Sequence, residues 1–113
     1  MAIAHKMIGD VAVVVLKGKL MGGPETTTIH EKVKDLVEEG VHKIVFDMAK
    51  VSWLNSTGLG SIMASSTTLS NAGGELKIAG LQDKARGLFS IAKLDSVFKI
   101  YGSADRAAAD FQG

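Results

Sequence analysis

Asn55, Ser56 and Thr57 stand together just ahead of Gly58, where a strand-like run gives way to helical spacing. Their short side-chain oxygens can accept from the free N–H groups of a first helical turn, so any of the three can be the N-cap. A serine at such a place could also act as a nucleophile. No Gly-x-Ser-x-Gly elbow surrounds Ser56, however, and no nearby histidine is available as its base, so enzyme activity is not expected. Asn55-Ser56-Thr57 also satisfies the N-x-[ST] acceptor pattern, which is silent in a chain read as cytoplasmic. His5, His30 and His42 have no ligand-like spacing to one another or to carboxylates; they read as surface residues, and no metal site is expected. Gly58 and Gly60 are too close together for a dinucleotide or P-loop pattern, and Gly22-Gly23 lacks the lysine that would reach phosphates, so no cofactor is expected.

The residues that must position this tripeptide lie on both sides of it. Ile44, Val45, Phe46 and Met48, broken only by Asp47, form an apolar run of strand length covered on both faces, which predicts a central strand joined to the tripeptide by a short connection. From Ser56 or Thr57 onward Leu59, Ile62, Met63, Ser66 and Leu69 fall on one helical face, with Ser61, Ser65 and Thr68 elsewhere. Leu59, Ile62 and Met63 are thus expected in the core and Ser56 at least partly exposed. Trp53, the only tryptophan, is expected to pack against the central helices.

Upstream, Ile3 to Ile8 and Val11 to Leu16 read as strands joined at Gly9-Asp10, a hairpin whose first strand is an edge. Gly18 to Pro24 reads as a loop, and Pro24 opens a helix that carries Ile29, Val33, Leu36 and Val37 on one face and stops at Gly40. Downstream come a strand Glu75 to Ala79, a helix Asp83 to Lys93 with Leu88, Phe89 and Ala92 inward, a short strand Val97 to Ile100, and a helix Ala104 to Phe111 capped by Ser103. The order β-β-α-β-α-β-α-β-α calls for right-handed crossovers. The expected fold is a single α/β domain over residues 1–113, with a mixed, mostly parallel sheet, an N-terminal antiparallel edge hairpin and about four helices.

Composition narrows the function classes. The chain has 113 residues, 46% of them hydrophobic, enough for a real core. Thirteen Lys and Arg against twelve Asp and Glu give a net charge of +1, and along the sequence the charges are interspersed. No basic stripe for nucleic acid and no polybasic segment for membranes is read, and affinity for polyanions should be weak. The lack of cysteine removes disulfides and thiol chemistry, and with no signal-peptide pattern or membrane-length apolar run the chain reads as cytoplasmic.

The chain resembles bacterial anti-sigma-factor antagonists, small members of the STAS superfamily. The resemblance is carried by Val14-x-Leu16-x-Gly18-x-Leu20, by IVFDMAKVSWLNSTGLGSIM from Ile44 to Met63, by GGELKIAGL from Gly73 to Leu81, and by LFSIAKLDSVFKIYGSADRAAADF from Leu88 to Phe111. It implies that Ser56 is the phosphorylation site and that Met21, Gly22, Asn55, Ser56, Thr57 and Gly58 contact the partner. The implied function is partner switching. The unmodified protein binds an anti-sigma factor that is also a serine kinase, phosphorylation ends the binding, and a phosphatase restores it; the ATP belongs to the kinase. Two positions depart from the family pattern: Asn55 replaces the usual Asp, and Met21 replaces another, which makes the surface less acidic and more apolar. The alternatives are a non-phosphorylated STAS-like docking subunit of a transporter ATPase or signalling assembly, for which Asn55 argues, and a small-ligand module with its mouth near Gly22-Gly23.

Overall fold

The computed structural model describes residues 3–112, apart from the side chains of residues 24–26. Five strands and four α-helices alternate as β1 (His5–Ile8), β2 (Val11–Leu20), α1 (Pro24–Glu38), β3 (Lys43–Leu54), α2 (Ser56–Asn71), β4 (Glu75–Ala79), α3 (Asp83–Ile91), β5 (Ile100–Tyr101) and α4 (Ala104–Gln112). The strands lie in sequence order across one sheet, β1 antiparallel to β2 and the remaining pairs parallel, as the element order requires. A sheet that advances in one direction through right-handed crossovers collects its crossover helices on one face. Accordingly, Ala12, Val14, Leu16 and Leu20 of β2 and Ile44, Phe46 and Met48 of β3 pack with Ile29, Val33 and Leu36 of α1, Leu59, Ile62 and Leu69 of α2, and Phe89 of α3. The opposite face is left to α4 alone, whose Ala104, Ala107 and Ala108 cover Val11, Val13, Val45 and Ala79.

β2 and β3 are much longer than their sequences suggested. β3 continues through Trp53 to Leu54 and β2 through Gly18 to Leu20, so neither the connection ahead of Asn55 nor a loop beginning at Gly18 exists. Two register shifts, between Val15 and Lys17 and between Gly18 and Lys19, insert extra β3 residues and break the alternation that would have revealed the strand. Beyond Asp47, β3 has no β4 partner, so the far halves of β2 and β3 project as a two-stranded ribbon past the rest of the sheet.

Other expectations fail locally. Met63 is 37% exposed while Ser65 is fully buried. One residue turns the helix by ~100°, which puts Met63 at the border of the stripe made by Leu59, Ile62, Ser65 and Leu69. The Ser65 hydroxyl is satisfied inside the helix by donating to the Ser61 carbonyl at 2.9 Å. α3 ends at Ile91, which leaves Ala92 exposed as its C-cap, and Lys93 in the left-handed region at φ 60° turns the chain into a 3-10 turn, Leu94–Ser96. Leu94 and Phe98 fill the core there, so the last strand starts only at Ile100.

α4 is held by a buried charge. Lys77 of β4 is 3% exposed and its Nζ lies 2.6 Å from Asp110 Oδ2, 4.1 Å from the centre of the Phe111 ring and 5.3 Å from that of Tyr101. The Tyr101 hydroxyl donates to the same carboxylate oxygen. Burial alone would push the Lys77 ammonium down, but its contacts with Asp110 and Tyr101 outweigh burial and raise it. The hydrogen bond from Lys77, helped by that from Tyr101, holds Asp110 below the ordinary carboxylate value.

Two measurements check this packing. Ile62→Ala should cost about 2–5 kcal/mol in urea unfolding, whereas Met63→Ala, at a side chain 37% exposed, should cost clearly less, about 1 kcal/mol. Because the folded Asp110 is depressed, its contribution is present above the unfolded carboxylate value of about 3.9 and is lost as pH falls through the folded one. Asp110→Asn should therefore be less stable than the parent at pH 7, with the gap closing on acidification below about pH 4.

Candidate functional site

The tripeptide sits at the edge of the sheet where β2 and β3 end and α1 and α2 begin. Asn55 is the N-cap of α2: at φ −111° and ψ −178° its Oδ1 accepts from the Gly58 N–H at 2.9 Å. Its other amide atom is also engaged, since Nδ2 donates to the Met21 carbonyl at 3.1 Å. The backbone donor at one end and the backbone acceptor at the other fix the orientation of the carboxamide. The Asn55 N–H donates to the Leu20 carbonyl at 3.2 Å, which joins the end of β2 to the start of α2.

Small residues permit that junction. A Cβ on Gly58 would collide with the Leu20 carbonyl oxygen, so only glycine lets α2 begin this close to β2. Gly22, at φ +90°, faces the Thr57 side chain, whose Cγ2 would lie 2.8 Å from a Cβ at position 22. Met21, Gly22, Asn55, Ser56, Thr57 and Gly58 thus form one cluster. Met21 is 52% exposed, Ser56 and Thr57 are exposed, and Gly58 is buried. Ser56 is the first residue of α2, and because Asn55 supplies the cap, the Ser56 hydroxyl is not needed to start the helix.

The N-termini of α1 and α2 both open at this edge, with Gly23 and Asn55 as their N-caps, so their partial positive charges add there. Between Ser56 and Asn71 there is no charged residue to oppose an anion or to pair with a cation. Helical spacing places the exposed Gly60 and Met63 one and two turns after Ser56 on the same side of α2, while the buried Leu20 lends its carbonyl from beneath. Leu20 escaped sequence reading because its part is played by a backbone atom.

The STAS domain family pattern matches residues 2–107. The chain belongs to the STAS domain family. Over 76 residues it is 29% identical to a Bordetella bronchiseptica protein described as the anti-sigma factor antagonist BtrV, an alignment spanning 67% of this chain and 66% of that one. The crystal structure of an anti-sigma factor antagonist from Thermotoga maritima superposes with a TM-score of 0.83 at 22% identity, covering 98% of this chain and 95% of that one. The Bacillus cell fate determinant SpoIIAA in its phosphorylated form superposes with a TM-score of 0.76 at 18% identity, covering 97% and 99%. In this STAS domain Trp53 does not pack against the central helices. It is 41% exposed on the other face of the ribbon, with Lys84 Nζ 5.0 Å from its ring centre. Nor are all three histidines simple surface residues. His30 is half-buried and its Nε2 lies 2.7 Å from Thr68 Oγ1, which links α1 to α2. Among the described residues no group of three or more His, Asp or Glu could hold a metal, and no helix is long and apolar enough to cross a membrane.

The carboxamide geometry makes Asn55→Asp an informative change. A carboxylate keeps the acceptor for Gly58 but has no donor for the Met21 carbonyl, so residues 21–23 should lose amide-exchange protection while α2 stays capped. Asn55→Ala removes both bonds and should cost about 0.5–2 kcal/mol in denaturant unfolding. Equal protection of residues 21–23 in Asn55→Asp and the parent would show that the amide does not hold that segment.

Proposed function

We propose that this STAS domain is an anti-sigma-factor antagonist that is not itself an enzyme. In its unmodified form it binds an anti-sigma factor that is also a serine kinase, through Met21, Gly22, Asn55, Ser56, Thr57 and Gly58. Phosphorylation of Ser56 ends the binding, and a phosphatase restores it. The observation that carries the proposal is the exposed Ser56 hydroxyl at the first position of a helix that Asn55 already caps. Family membership and the anti-sigma factor antagonists among the relatives support it.

The energetics fit a switch that changes binding and spares the fold. A phosphate on Ser56 would lie at the positive end of α2, which favours it by about 0.3–1 kcal/mol. The same dianion enclosed in an interface without an arginine to answer it must be desolvated. A cost of only about 2.7 kcal/mol there weakens binding a hundredfold.

Incubation with ATP and a serine-kinase anti-sigma factor from the source organism should add one phosphate, located on Ser56 by mass spectrometry. Ser56→Asp should keep the parent's circular dichroism and lie within about 1 kcal/mol of its stability, yet bind that kinase more weakly. Ser56→Ala should bind and refuse phosphate. Phosphate on Thr57, or none with an active cognate kinase, would overturn the Ser56 assignment and leave a non-phosphorylated docking subunit as the better reading.

A further inference from the structure

The outer face of the projecting ribbon carries a charge cluster that the sequence hides. Its inner face is core, with Leu20, Val51 and Leu54 buried, whereas the register opposite places Lys17 beside Lys50 and Lys19 beside Trp53. The two β3 insertions create these pairs, because regular alternation from Val15 and Asp47 would have set Lys17 against Ala49 and Lys19 against Val51. Lys84, from the first turn of α3, brings a fourth ammonium over the Trp53 ring. All four lysines are exposed, and α4 covers only the other end of this face.

This arrangement sets like charges side by side, and among the described residues only Lys84 of the four lysines, over the Trp53 ring, has a favourable partner. Lys17 and Lys50 are cross-strand neighbours of like charge, which is destabilising. Among the described residues none of the four lysines forms an ion pair. The acids nearest in sequence do not answer them: Asp47 accepts from the Ala49 N–H through Oδ1, and Asp83 is the first residue of α3. Local conflicts of this kind mark functional surfaces.

From this surface we infer a second docking site, distinct from the Ser56 edge, that takes an acidic segment of a partner protein. The chemistry favours carboxylates over nucleic acid. The cluster contains no arginine for bidentate phosphate contacts, and Lys84 already sits over the indole that would have to stack on a base. The net charge of +1 provides little long-range field for a long polyanion, so recognition rests on close pairing over one ribbon face. Three or four carboxylates on a short helix or extended segment would match four ammonium groups, with the exposed half of Trp53 as the apolar contact beside them.

Trp53 is the only tryptophan, so its fluorescence reports directly on this face. A synthetic peptide of ~12 residues bearing about four glutamates, short enough to lie along one ribbon face, should shift Trp53 emission. The effect should fade as salt shortens the screening length from about 10 Å at 0.1 M to about 3 Å at 1 M. The double variant Lys17→Glu/Lys50→Glu should weaken binding by at least about tenfold. Lys32→Glu/Lys34→Glu, which changes the net charge equally but lies on α1, packed against the other face of the sheet, should bind like the parent. Lys17→Gln/Lys50→Gln gives the same readout should the reversal disturb folding. Equal weakening by the Lys32/Lys34 pair, no response of Trp53 at low salt, or tighter binding of single-stranded RNA or phosphatidylglycerol vesicles than of the peptide would each overturn the inference. Phosphorylation of Ser56 plays no part in this readout, so its failure leaves the Ser56 reading standing and the converse also holds.

Discussion

The contact on which this structure turns is the approach of α2 to the Leu20 carbonyl. That one oxygen accepts the Asn55 N–H, and the absence of a side chain at Gly58 lets the first turn of α2 lie against it. The meeting requires β2 and β3 to run far past the rest of the sheet and end together, with Leu20 paired to Leu54. It also ties down the segment after each strand. Residues 21–23 are drawn towards the start of α2 by the bond from Asn55 to the Met21 carbonyl, and Thr57 rests against Gly22. Helix start, loop and exposed serine are consequently one mechanical unit.

That unit divides labour between neighbouring residues. Asn55 performs the structural work with both atoms of its carboxamide, and Ser56, one position on, contributes an exposed hydroxyl. A chemical change at Ser56 therefore acts on the surface presented to a partner, where desolvation of a charge outweighs the modest favourable interaction with the helix end. On the opposite face the same long strands have a different consequence. Sequential strand order leaves that side to α4, which is anchored at the far end by Lys77 and Asp110, so the ribbon's lysines stay uncovered.

Most of the architecture was legible because it rests on periodicity. Ile29, Val33 and Leu36 repeat at helical spacing and are buried, and the alternation of helices with short apolar runs dictated parallel pairing with an antiparallel hairpin. What escaped depends on departures from periodicity. The insertions in β3 erased the two-residue pattern after Asp47, which concealed the ribbon, misplaced Trp53 and disguised scattered lysines as a dispersed surface. Met63 was misjudged because a hydrophobic residue at the border of a helical stripe is decided by neighbours that sequence spacing does not specify, here a serine that packs inward. The position of Asn55 as a candidate cap was readable from residue type, but its second bond, to a carbonyl thirty-four positions earlier, was not.

The central claim is that chemistry at Ser56 alters a surface and leaves the fold alone. It is tested most directly by comparing the amide correlation spectra of the protein with and without phosphate on Ser56. Shifts confined to residues 20–23 and 53–60, with the thermal midpoint moved by no more than about 4–8 °C, the equivalent of ~1 kcal/mol in a domain of this size, are the predicted result. Shifts that spread through the sheet to Lys77, Tyr101 and Asp110, or a collapse of the thermal transition, would contradict it.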